Sequence, residues 1–190
     1  MTLLLAGMVV FFGTHLVRVI VPDFRELMIS RLGPLGWKGL YSILSLAGFV
    51  MLVAGYAAIR WTSPLLWGPP PGWTRMLVGL LMLPVLVVFV AAYLPGKIRA
   101  TLRHPMMIAT TAWAALHLLV NAGVADTILF GGFLAWALVV LVASFRRPWT
   151  PPKRPPSLLW DCVAVAAGAG VWWWLAFGGG HLLLFRMPVM

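Results

Sequence analysis

The chain has 190 residues, 62% of them hydrophobic and only 9% charged, with a mean hydropathy of +0.98. Soluble domains carry roughly 25% charged residues, so this composition excludes an ordinary soluble enzyme and predicts an integral membrane protein. The net charge of +10 sits beside apolar segments, where topology and anionic lipid account for it, and nucleic-acid binding is not expected.

A bilayer span needs about 20 mostly apolar residues. Six segments have that character, at 2–20, 39–59, 76–94, 105–122, 127–145 and 158–177. The first has no basic run before it and no small-x-small cleavage pattern, so it reads as a retained span and not a signal peptide. The third contains Pro84, a candidate kink. The fourth is short and ends in the turn chemistry of Asn121-Ala122-Gly123. The sixth carries Ala164 with Gly168, and Ala166 with Gly170, as small-xxx-small contacts for close helix packing. The segments around Gly68-Pro69-Pro70-Pro71-Gly72 and from Pro148 to Pro156 read as stiff connectors. The expected fold class is an all-α integral membrane protein, a six-transmembrane-helix bundle with short loops, forming one domain over residues 1–190.

Basic residues orient the bundle. One side receives Arg18, Arg25, Arg31 and Lys38, then Lys97, Arg99 and Arg103, then Arg146, Arg147, Lys153 and Arg154; the other receives only Arg60, Arg75 and Arg186. The positive-inside rule then places both termini on the periplasmic side. Tryptophans agree with this reading: Trp61, Trp67, Trp73 and Trp172 to Trp174 mark an outer belt, and Trp37, Trp149 and Trp160 an inner one.

Within this apolar frame the histidines stand out, because an ionisable group inside a span is costly and marks a functional site by default. His15 ends Phe11-Phe12-Gly13-Thr14-His15 in the inner half of the first span, and Arg18 follows at i+3. An imidazole on iron, an apolar slot and a cation for propionates are the needs of a haem; a hydrogen bond from a core histidine to a backbone carbonyl or to Thr14 is the other reading. His117 lies 12 residues beyond Pro105, about 18 Å along the span, with Trp113 and Asn121 on its face at i−4 and i+4. His104 and His117 project about 220° apart on an ideal helix, so a ligand pair must come from different helices. His15 is then the natural partner for His117, at a depth that matches approximately. His104 sits in Arg103-His104-Pro105, with the proline well placed at a helix start. It suits either interface anchoring or, with Arg103, a cofactor carboxylate at the positive helix end.

His181 follows Gly178-Gly179-Gly180 and reads as a surface or interfacial residue. Asp23, Glu26, Asp126 and Asp161 are too scattered for a carboxylate dyad. The lone Cys162 excludes an intrachain disulfide and is a candidate soft ligand. With no Cys-x-x-Cys-His, covalent haem attachment is not expected, and the sequence has no Ser/His/Asp order, phosphate-cradling glycine loop or zinc-type cluster.

Taken together, the chain resembles the NnrU family of membrane proteins. The pieces that carry the resemblance are Phe11-Phe12-Gly13-Thr14-His15, Tyr41-Ser42-Ile43-Leu44-Ser45-Leu46 and Pro64-Leu65-Leu66-Trp67, then Arg103-His104-Pro105, then Trp113 to Gly123, and last His181-Leu182-Leu183-Leu184-Phe185. They run in order through nearly the whole chain. The resemblance implies a bacterial inner-membrane protein linked to nitrite and nitric oxide reduction in denitrification. The same pattern is similar to the 15-cis-ζ-carotene isomerases, which use haem b, and this implies metal ligands at His15 and His117. The isomerases carry a cysteine just after the motif tryptophan, where this chain has Ala114, so that alternative ligand for a redox switch is missing. Arg103-His104-Pro105 is also similar to a motif of the isoprenylcysteine-type membrane methyltransferases, but Met106, Met107 and Ala109 depart from its continuation.

The resulting expectation is haem b held by His15 and His117, with Arg18, Arg103 and also Arg99 near the propionates and His104 beside them. The expected partners are membrane lipids, an apolar polyene or nitric oxide. A haem-free packing subunit within a larger membrane complex is the alternative.

Overall fold

A computed structural model describes residues 1–68, 70–149 and 155–185. Among them the chain is all-helical, apart from one isolated antiparallel bridge between Leu65 and Gly123. The helices are α1 (Thr2–Ile20), α2 (Pro22–Ile59), α3 (Gly72–Ala91), α4 (Lys97–Leu102), α5 (Pro105–Val120), α6 (Val124–Phe145), α7 (Leu158–Ala176) and α8 (Gly180–Phe185). Five of them, α1, α2, α3, α6 and α7, are long and apolar enough to cross a membrane. The expected fourth span is α5, an apolar helix of 16 residues. At 1.5 Å per residue it measures about 24 Å, short of a hydrocarbon core about 30 Å thick.

Two departures from the sequence reading lie at the ends of spans. Residues 22–32, expected as a loop, are helical and run into α2 through a break at Gly33, whose φ of 72° and ψ of 167° interrupt the helix just before Pro34. Only glycine adopts that backbone without a steric penalty. The helix pattern on the loop side is Phe24, Leu27, Met28 and Leu32 against Asp23, Arg25, Glu26 and Arg31, an amphipathic face at helical spacing. The second departure is α3, which starts at Gly72 and continues through Pro84. Lys153, Arg154 and Arg186, and parts of the two proline-rich connectors, lie outside the described residues.

The chain contains two compact units. Unit 1 is Met1–Leu66 with Gly123–Gly132, and unit 2 is Trp67–Ala122 with Phe133–Met190, so the division falls within α6. In unit 1, α1 packs along α2. Lipid-exposed helices gain little from apolar burial against one another and associate by close packing of small residues. Gly7, Gly48 and Gly55 provide that here. A Cβ on Gly7 would stand 2.5 Å from the Leu52 amide nitrogen, one on Gly48 would stand 2.7 Å from that of Phe11, and one on Gly55 would meet the Leu4 backbone. Leu4 and Leu52 are fully buried between the two helices.

Unit 1 also has a polar clasp. The Tyr56 hydroxyl donates to Asp126 Oδ1 at 2.5 Å, Gly123 N–H donates to Asp126 Oδ2 at 3.0 Å, and Ala125 N–H donates to Ser63 Oγ at 2.8 Å. The Asp126 carboxylate and the Ser63 hydroxyl thereby satisfy amides at the start of α6, which have no partner within their own helix.

In unit 2, α3 packs against both α5 and α7. Ala164 and Gly168 face α3, and a Cβ on Gly168 would stand 2.6 Å from Val87 Cα, whereas Ala166 and Gly170 are exposed and nothing lies within 4 Å of Gly170's would-be Cβ. Only the first of the two expected small-residue pairs is therefore a packing face. Trp172, expected in the outer belt, donates its indole N–H to the Gly79 carbonyl at 2.6 Å and so ties α7 to α3. Asp161, buried in the first turn of α7, accepts from Lys97 N–H and Ile98 N–H, both at 3.0 Å, and caps the short helix α4 from outside.

Candidate functional site

The site begins with one local structure that occurs twice. In α1 the His15 Nδ1 bonds to the Phe11 carbonyl at 2.7 Å, and its ring lies on Phe11 with centroids 4.3 Å apart at 35°. In α5 the His117 Nδ1 bonds to the Trp113 carbonyl at 2.9 Å, and its ring lies on Trp113 at 4.9 Å and 45°. A carbonyl can only accept, so Nδ1 is the protonated nitrogen in each ring. In a neutral imidazole this puts the lone pair on Nε2, the tautomer that ligates metals, oriented by the second-shell bond that such ligands make. The i−4 spacing accounts for both bonds: a residue at i reaches back over the preceding turn.

The neighbours differ. His15 meets the Tyr41 ring edge-on at 5.3 Å, from α2 of the same unit, and Tyr41 in turn stands 6.2 Å from Trp37. Arg18, exposed in the last turn of α1, stands one turn beyond His15. In unit 2 the indole of Trp113 meets Phe133 at 5.4 Å and 88°. The side chain of Asn121 donates to the His117 carbonyl at 2.7 Å and closes the end of α5. His181, read as a surface residue, lies within electrostatic range of His117 and stacks on Phe185 at 4.9 Å. Nothing in the local sequence signals that approach, because the two histidines come from helices 64 positions apart. Among the described residues no group of three or more His, Cys, Asp or Glu could hold a metal ion. Each of the two histidines stands against an aromatic ring, an environment in which an imidazole can serve as a haem ligand.

Arg103 and His104 occupy the other end of α5. His104 is the N-cap residue and Pro105 begins the helix, as expected. The 12-residue rise from Pro105 to His117 is about 18 Å, so this end of the helix is separate from the His117 turn. The His104 ring hydrogen-bonds to the Ser144 backbone and meets Phe145 edge-on at 5.0 Å. Burial pulls the His104 imidazole below its ordinary pKa; the bond to Ser144 opposes this, and the Arg147 and Arg103 charges add to it. Cys162, the candidate soft ligand, is exposed.

Neither a curated protein nor a solved structure matches the chain. A family model does: that of the NnrU protein family, over residues 3–189. That match includes both histidine turns and the Arg103-His104-Pro105 turn, and the chain belongs to the NnrU family.

Proposed function

We propose that this chain is a six-span protein of the bacterial inner membrane, with both termini periplasmic, that binds haem b with His15 and His117 as axial ligands. The observation that carries this reading is the repeated histidine turn, in which two intramembrane imidazoles are held in the same ligating tautomer against an aromatic ring. Arg18 is the propionate partner in this reading. Bound haem supplies one-electron redox chemistry and an affinity for small diatomic ligands. The chain's own contribution is to fix each ring tautomer through a backbone carbonyl and to set Phe11 and Tyr41 against His15 and Trp113 against His117.

Family membership favours a nitric-oxide or denitrification-linked role over isomerisation of an apolar polyene, because Ala114 stands where the isomerases carry a cysteine. Reduced protein exposed to nitric oxide is expected to give a haem–nitrosyl difference spectrum and to leave a cis-polyene unchanged. Isomerisation that depends on reduction would assign the polyene role instead. A colourless, folded preparation that does not take up added haem would leave a haem-free subunit of a membrane complex.

A second pairing, His117 with His181, would draw both ligands from one unit, in which the two imidazoles lie within electrostatic range of each other. Loss of haem in His181→Ala, with haem retained in His15→Ala, would select it.

A further inference from the structure

The inner end of unit 2 carries a structure that the histidine site does not use. At Arg103 the backbone has φ 61° and ψ −48°, and the His104 N–H donates to the Leu102 carbonyl at 2.6 Å. This is a γ-turn with positive φ at its centre, a rare and strained conformation. Arg103 is the one described non-glycine residue with positive φ. Such strain costs about 1–3 kcal/mol and persists only where the surroundings impose it. Here they do: the Arg103 amide bonds to Arg99 O at 3.0 Å, Pro105 starts α5 directly after the turn, and the His104 ring is held by Ser144 and Phe145.

The strained turn plants the Arg103 guanidinium over the Trp149 indole, 5.5 Å from its centroid. Arg147, whose charge is felt at His104, anchors its Nε on the Ala143 carbonyl at 3.2 Å. Among the described residues no carboxylate forms an ion pair with Arg103 or Arg147. Asp161, the acid of α7 in the same unit, is engaged by the α4 amides. Two guanidiniums are therefore gathered at the N-terminal end of a 16-residue helix, whose first amides have no partner within the helix. That arrangement suits a phosphate oxygen set. The cations lie beside exposed apolar groups: Phe145 is 50% exposed and Trp149 40%. A ligand with a charged head and an acyl tail matches both halves.

We propose that the Arg103 turn is a binding site for the phosphate of an anionic phospholipid, with Arg103 and Arg147 contacting the headgroup, Trp149 and Phe145 flanking its acyl chains, and His104 positioning Arg103. This site does not depend on the haem reading.

The test uses the full chain in delipidated, zwitterionic-detergent micelles, titrated with phosphatidylglycerol or phosphatidylcholine and read by native mass spectrometry. The wild type is expected to prefer phosphatidylglycerol, and Arg103→Gln to lose about tenfold of that preference, the scale of one charge-assisted hydrogen bond. Arg25→Gln, which removes the same charge from the other unit, is expected to keep it. Arg103→Gly adopts positive φ without a Cβ, so it is expected to melt no lower than the wild type and yet lose the preference. Equal loss in Arg25→Gln would reduce the effect to general surface charge and overturn the proposal. So would an unchanged preference in a folded Arg103→Gly protein. Displacement of the lipid by millimolar inorganic phosphate would assign the site to a free anion and overturn the lipid assignment.

Discussion

His15 in α1 and His117 in α5 make the same bond to their own helix but meet different neighbours. The shared part is local: an aromatic residue at i−4, its carbonyl on Nδ1, and its ring beneath the imidazole. The differing part comes from tertiary packing. Unit 1 sets Tyr41 against His15 by pressing α1 onto α2 through three glycines. Unit 2 sets Phe133 against Trp113 and holds His181 within electrostatic range of His117, on a framework joined by Gly168, Trp172 and Asp161. Helix geometry can therefore prepare a ligating imidazole without help, whereas the wall around it depends on distant residues.

The largest effects are expected at the glycine contacts. Gly55→Ala in unit 1 and Gly168→Ala in unit 2 place a methyl group against facing backbone. Each is expected to destabilise by about 1–3 kcal/mol, the usual cost of overpacking, as read from denaturation in mixed micelles. Gly55→Ala should disturb the Tyr41 contact of His15 and leave the His117 turn as it is. Equal disturbance of both turns would contradict a Tyr41 contact set by the α1–α2 glycines alone.

Effects of similar or smaller size are expected at the polar clasps. Tyr56→Phe removes one of the donors to Asp126 in unit 1. Asp161→Asn replaces an acceptor of two amides in unit 2 with a group that can accept from only one side. Both are expected to cost about 1–3 kcal/mol, the penalty for polar groups left without partners, measured by the same denaturation assay. At the other extreme, Gly13→Ala and Gly170→Ala meet nothing within 4 Å. They should be neutral or stabilise by up to about 1 kcal/mol through helix propensity alone.

A smaller effect is expected at His104, which has the positioning role without the intramembrane setting. Its folded-state pKa is lowered by burial, so the folded protein favours the neutral ring. The associated stability is fully present above the ordinary histidine value of about 6.5 and is lost as pH falls below it, through the lowered folded value. Denaturation of wild type and His104→Asn between pH 8 and pH 5 should therefore converge at the acid end.

Much of this was readable from the chain. The apolar runs located α1, α5, α6 and α7 to within a few residues, and Pro105 marked the start of α5, because these are local signals. The helix over 22–32 was missed because its four charges resembled a loop, and the periodicity of Phe24, Leu27, Met28 and Leu32 was the signal that could have shown it. Asp126 and Asp161 looked scattered because their partners lie 70 and 64 residues away along the chain. The γ-turn at Arg103 has no signature at all, since arginine disfavours positive φ.

The most direct test of the account is the absorption spectrum of the gently extracted protein beside His15→Ala and His117→Ala, each checked for folding. The wild type is expected to show a Soret band that is lost or shifted to a five-coordinate form in both variants. A Soret band that is unchanged in either folded variant would contradict the ligation of haem by these two histidines.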